Sequence, residues 1–221
     1  FHSYIAKNEE ATAIYRDVAM VGLNSARRAS LHWDWSLGSV SHRQRTRVAD
    51  VLRSHGRHAF RIVALHHPMI HSEARAGKQL VGGATRALDA WARAGADVIV
   101  HGHGHLPRVQ LVDSATRSLI IMQSGSSLGV RLRGEPGGYN VLDFLGPSQV
   151  GVSMRTKESS AYAQGEAKLF VRNAVGWHTL KRHSSGPSGS IAIAREATHL
   201  FASTSKADLI ARASSHNHHT R

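Results

Sequence analysis

The stretch Val98-Ile99-Val100-His101-Gly102-His103-Gly104-His105 decides how this chain is read. A short β-branched run has the composition of a buried strand, and here it ends abruptly in a Gly-His-x-His turn. Imidazoles two residues apart project to the same side of an extended segment, so His103 and His105 converge on one small volume. Glycines on either side leave the backbone room to bend around an ion. With 17 His in 221 residues, about one His-x-His arises by chance, so the strand and the glycines carry the signal. The pattern reads as a metal site at a strand end, with a solvated polar turn as the plainer alternative. His216-Asn217-His218 repeats the spacing with no strand before it and reads as a frayed end.

Upstream, Ala59-Phe60-Arg61-Ile62-Val63-Ala64-Leu65 is a second buried-strand candidate, followed at once by His66-His67-Pro68. Pro68 stops the strand and holds the preceding residue extended, which presents the imidazoles at the sheet edge. The ends of adjacent strands in an open α/β sheet share one crevice. His66 therefore joins His103 and His105 as a third nitrogen ligand.

These two strand-end motifs, in this order, resemble the second half of a calcineurin-like metallophosphoesterase of the cyclic-nucleotide phosphodiesterase-like branch. Val21-Gly22-Leu23-Asn24-Ser25, the segment 35–38, Gln44, Gly125-Ser126-Ser127 and Gly138-Tyr139-Asn140-Val141-Leu142 fall in the same order, so the resemblance covers about residues 10–176. It implies an α/β fold: a sandwich of two mixed β-sheets flanked by helices, present here in part, with the amino-terminal strands missing. It also implies hydrolysis of a phosphomonoester or phosphodiester at two divalent ions of iron, manganese or zinc. By the same resemblance His66 and His103 bind the second metal, His105 binds the first, and His67 stands behind the ligands or faces the substrate. Two cations about 3.5 to 4 Å apart polarise phosphoryl oxygens and turn a bridging water into hydroxide near neutral pH.

The sequence departs from that family where the chemistry is most demanding. Asp-x-His, Gly-Asp-x-x-Asp and Gly-Asn-His are all absent from it. Three neutral imidazoles with no carboxylate do not hold two divalent cations close together, because nothing offsets their mutual repulsion. Asp34 and Asp113 are the acids to consider as substitutes. The expectation is a carboxy-terminal portion, inactive alone, whose partner is an amino-terminal half and whose substrate is a phosphoester. In such a piece the strands at 18–23, 59–65 and 97–101 would expose an unpaired edge.

Composition bounds the remaining classes. Hydrophobic residues make up 41%, enough for a globular core. No run of 18 apolar residues occurs, so no membrane-spanning helix is expected. Zero Cys removes disulfides and thiolate metal sites but does not identify the compartment; the cytoplasm is the expected location. The net charge of +13 attracts anions without specificity. Its arginines form no aromatic-studded stripe, so specific nucleic-acid binding is not expected. A non-catalytic basic anion- or nucleic-acid-binding protein with incidental histidines is the alternative function.

The remaining pattern supplies the frame. Strand 18–23 is followed by a helix over 42–54, opened by a capping box from Ser41 and Gln44. Gly82-Gly83 precedes a helix at 84–94 that Gly95 ends, and short strands follow at 108–113, 118–123, 128–133, 139–144 and 149–155, with a last one in 168–177. Trp33, Trp35, Trp91, Trp177 and Tyr139 read as packing residues. Residues 1–180 form the phosphoesterase-like portion; 181–221 read as a Ser/Gly/Pro linker at 183–190 and a weakly helical or disordered tail.

Overall fold

Strands buried on both faces appear in sequence as unbroken apolar runs, and four such segments build the centre of this protein. Val18–Leu23 (β2), Phe60–Leu65 (β3), Val98–His105 (β4) and Ser118–Gly125 (β6) pair in parallel in the order β2-β3-β4-β6. The computed structural model describes residues 10–26, 38–71, 80–105, 107–126, 137–158 and 161–180; of His105 it describes only the backbone. The expected strand at 128–133, Trp33, Trp35 and Asp34 lie outside the described residues. So does Lys181–Arg221, which is a unit separate from Phe1–Leu180, and with it the expected linker and tail.

The two helices among the described residues, His42–Ser54 (α1) and Ala84–Arg93 (α2), cover one face of the parallel strands. The capping box at α1 is complete: Gln44 N–H donates to Ser41 Oγ at 3.2 Å, and Ser41 N–H donates to Gln44 Oε1 at 3.0 Å. Gln44 Nε2 also donates to the Asn24 carbonyl at 2.8 Å, which fixes the loop after β2. Val48, Ala49 and Leu52 of α1 and Leu88 and Trp91 of α2 pack against Val21, Val63, Leu65, Ile99, Leu119 and Ile121. The alternate residues Phe60, Ile62, Val98, Ile120 and Met122 face a second core.

That second core is closed by an antiparallel meander of Gly138–Gly146 (β7), Gln149–Glu158 (β8), Ala161–Asn173 (β9) and Gly176–Thr179 (β10). Val150, Val152, Phe170 and Trp177 supply its inner face. The fold is α/β and consistent with a partial sandwich, but its two layers are not separate sheets: among the described residues ten strands form one mixed, curled sheet, because β10 bridges β6 at Gly176 and Ser118. Gly176 has φ of 120°, and a Cβ on it would lie 2.5 Å from the Ser118 nitrogen, so only glycine permits the junction. Arg108–Asp113 (β5) forms a hairpin with β6 beside it.

The expected open edge on β2 is also corrected. Glu10–Tyr15 (β1) pairs antiparallel with the whole of β2 through a two-residue turn at Arg16 and Asp17. Arg16 has φ of 49°, in a position that hairpin turns usually give to Gly, Asn or Asp. The usual turn signal is therefore missing from the sequence. Tyr139 is corrected as well: it is exposed on β7 and meets the Tyr162 ring at 5.0 Å, whereas Trp91 and Trp177 are core residues.

Asp97, fully buried just before β4, joins the two layers. Its Oδ1 accepts from Arg117 at 2.9 Å, Arg172 at 2.8 Å and the Trp177 indole at 3.1 Å, while Oδ2 accepts from the Arg61 backbone N–H at 3.0 Å. Burial lowers the pKa of the Arg61 guanidinium below its ordinary value, Asp97 opposes that, and Arg117 and Arg172 add to it. Removing the carboxylate leaves these cations without it in a partly desolvated site. Asp97→Ala is predicted to cost about 3–5 kcal/mol in urea denaturation; a loss below about 1 kcal/mol would contradict the clamp.

His101 lies under the helix-covered face with Ile99, and its buried Nε2 has no hydrogen-bond partner. Burial lowers its pKa to about 4, against a slight opposing contribution from the Gly102 carbonyl. Between pH 6.5 and about 4 the unfolded chain binds a proton that the folded chain excludes. Stability from this group is full above pH 6.5 and is lost as pH falls to about 4, by about 3 kcal/mol in all. Urea midpoints of wild type should fall more steeply over this range than those of His101→Leu, and parallel curves would refute the assignment.

Candidate metal centre

The carboxyl ends of β2, β3, β4 and β6 all open on one edge of the sheet, the usual place for a site in an α/β fold. Ser25 follows β2, His66 and His67 follow β3, and His103 lies in the last turn of β4. The structure brings His66, His67 and His103 together: one ring nitrogen from each falls within 4.8 Å of the others. His66 Nε2 and His103 Nδ1 are 3.1 Å apart. The three ring centroids are separated by 5.0, 5.1 and 5.5 Å.

His103 reaches this position by leaving the extended path. Its φ is 65°, a left-handed conformation that costs a residue with a Cβ about 1–2 kcal/mol. The pairing of β4 with β6 shifts between His101 and His105 at the same place. The alternation that would set His103 and His105 on the same side does not hold through such a residue. His105 pairs with Gly125 through its backbone, and its side chain lies outside the description.

His67 is the most firmly held of the three. It is buried, and its Nδ1 is 2.7 Å from the Oγ of buried Ser25, which also accepts the His67 backbone N–H at 3.4 Å. Gly38 lies flat against the other side: a Cβ there would overlap the imidazole ring. Ser25 is itself fixed through its carbonyl, which accepts from Ser39 N–H at 2.8 Å, and through the Asn24 contact with Gln44. Ser25 and Gly38 are the site residues to which the sequence reading assigned no role. The available signal was the position of Ser25 directly after an apolar strand, as with His66.

Three neutral imidazoles suit one borderline-soft cation such as zinc. Tetrahedral zinc with Zn–N bonds near 2.0–2.1 Å has nitrogens about 3.3 Å apart, close to the 3.1 Å between His66 and His103. A two-ion centre is a different matter, since no described carboxylate joins the group. Asp113 lies at the opposite end of the sheet, paired with Ser118, and Asp97 is likewise at that end, occupied by arginines. The residues present fit one ion and do not fit two.

No protein-family model and no curated protein sequence matches this chain. Among solved structures it is similar to a single-site mutant of Vps29 from Entamoeba histolytica, a calcineurin-like metallophosphoesterase fold, at 10% identity and a TM-score of 0.33, covering 79% of this chain and 62% of that one. It is also similar to GAP50, the anchor in the inner membrane complex of Plasmodium and purple acid phosphatase-like, at 14% identity and a TM-score of 0.34, covering 79% of this chain and 53% of that one. The chain thus spans between half and two thirds of the length of these two proteins. Similarities of this size carry no argument about its activity.

Proposed function

We propose that this chain carries the histidine part of a metal-dependent phosphoesterase site and that, by itself, it binds one divalent cation without turning over phosphoesters. The observation that supports the reading is the meeting of His66 and His103, from the ends of adjacent parallel strands, at 3.1 Å. A cation held there would polarise a phosphoryl oxygen and lower the pKa of a bound water. The protein's own part is to hold imidazoles in place on a rigid sheet edge and to attract anions through a net charge of +13. The substrate class is a phosphomonoester or phosphodiester. The carboxylates of a complete two-ion centre, with iron, manganese or zinc, would come from outside the described residues or from an amino-terminal partner, and the setting is cytoplasmic.

Three of the arginines that raise the charge, Arg61, Arg117 and Arg172, are turned inward to Asp97. They serve the fold, which weakens the reading as a general nucleic-acid binder. Among the described residues no helix is long and apolar enough to cross a membrane.

The test is hydrolysis of bis-p-nitrophenyl phosphate by the purified chain with added manganese or zinc, alongside metal binding by equilibrium dialysis. The expected result is bound metal with turnover no higher than the metal-only control. Robust turnover that disappears in His103→Ala would overturn the incomplete-site reading, and an absence of bound metal would overturn the metal-dependent one.

A further inference from the structure

We infer that His67 is a direct ligand, through Nε2, of a one-ion tris-imidazole centre with His66 and His103, and that Ser25 is the positioning residue that selects the binding tautomer of His67. The inference rests on the metal-dependent reading above and departs from the resemblance, which places His67 off the metal. Its first ground is proximity. His67 offers a nitrogen within 4.8 Å of those of His66 and His103, so closing to the roughly 3.3 Å edge of a zinc tetrahedron requires a movement of at most about 1.5 Å. His66 is exposed and His103 only partly buried, so rotation of their rings, with His67 held in place, can supply that.

The second ground is the hydrogen bond to Ser25. An imidazole that binds metal through one nitrogen generally donates the proton of the other to an oxygen, which fixes both its tautomer and its plane. Ser25 Oγ sits 2.7 Å from His67 Nδ1, is buried, and is anchored by its own backbone. With Nδ1–H donating to that oxygen, Nε2 is the nitrogen that His67 presents to an ion. The reverse arrangement, Ser25 O–H donating to Nδ1, would put the proton on Nε2 and block it. Gly38 against the ring removes the alternative of swinging away. The third ground is the left-handed backbone of His103, a local cost kept where it turns an imidazole toward the other two.

Zinc titration of the whole chain, followed by calorimetry, is the test. Wild type should bind one zinc per chain. His67→Asn retains an amide donor where Nδ1 sits but removes Nε2, and should weaken zinc binding at least 100-fold while leaving the urea midpoint of the metal-free protein close to wild type. Ser25→Ala should weaken it about 10- to 100-fold. A structural role for Ser25 alone would not change the tautomer, so long-range proton–nitrogen NMR of the imidazoles supplies the deciding signature. Metal-free wild type should show His67 protonated at Nδ1, and Ser25→Ala a mixture. Unchanged zinc affinity in His67→Asn would overturn the inference while leaving a metal-dependent phosphoesterase intact. So would retention of zinc in His67→Asn together with its loss in His105→Ala. Failure of wild type to bind zinc would overturn both readings.

Discussion

One buried carboxylate, Asp97, determines how the layers of this protein meet. It takes hydrogen bonds from Arg117 beside β6, from Arg172 on β9 and from the Trp177 indole on β10, while its backbone pairs with Arg61 of β3 and Ile120 of β6. It is a polar link between two layers whose apolar faces, Phe60, Ile62, Val98, Ile120 and Met122 against Val150, Val152, Phe170 and Trp177, also pack together. Burying a carboxylate without partners is expensive, and burying guanidinium groups without a carboxylate is equally so. The arrangement is stable only when all of its members are in place. The Asp97 cluster and the glycine junction between β10 and β6 both join the parallel strands to the meander.

The clamp and the histidines occupy opposite ends of the same strands. Asp97 precedes β4, and His103 lies near its end. Between them, Val98, Ile99 and Val100 are packed between the two cores and pair with β3 and β6 on either side. The rigid segment transmits the fixed position of one end to the other. It also supports the strain at His103, since a left-handed residue with a side chain persists only where neighbouring structure outweighs its cost. Ser25 and Gly38 extend the same support to His67 through the loop that Gln44 secures.

Local patterns were legible in the sequence, and pairings that depend on distant contacts were not. The apolar runs of β2, β3, β4 and β6 and the Ser41–Gln44 capping box are local, so their elements appear where the residues suggest. β1 was missed because Arg16-Asp17 lacks the glycine or asparagine of a usual hairpin turn. The single curled sheet was missed because one Gly176–Ser118 bridge joins its halves across a long separation in sequence. The position of His66 and His103 at the ends of adjacent parallel strands was legible from the strand patterns alone. His67 was placed beside them only through the resemblance, behind the ligands or facing the substrate; the approach of its ring nitrogen to within 4.8 Å of the other two was not legible, because it depends on the left-handed backbone at His103 and on Ser25, 42 residues away from His67.

The account rests on a centre built from imidazoles for one ion at the carboxyl edge of the parallel strands. X-ray absorption spectroscopy of the zinc-loaded chain measures that directly. The account predicts three imidazole nitrogens at about 2.0–2.1 Å with one light oxygen ligand and no second metal. A metal–metal vector at about 3.5–4 Å, or a shell dominated by carboxylate oxygen, would contradict it.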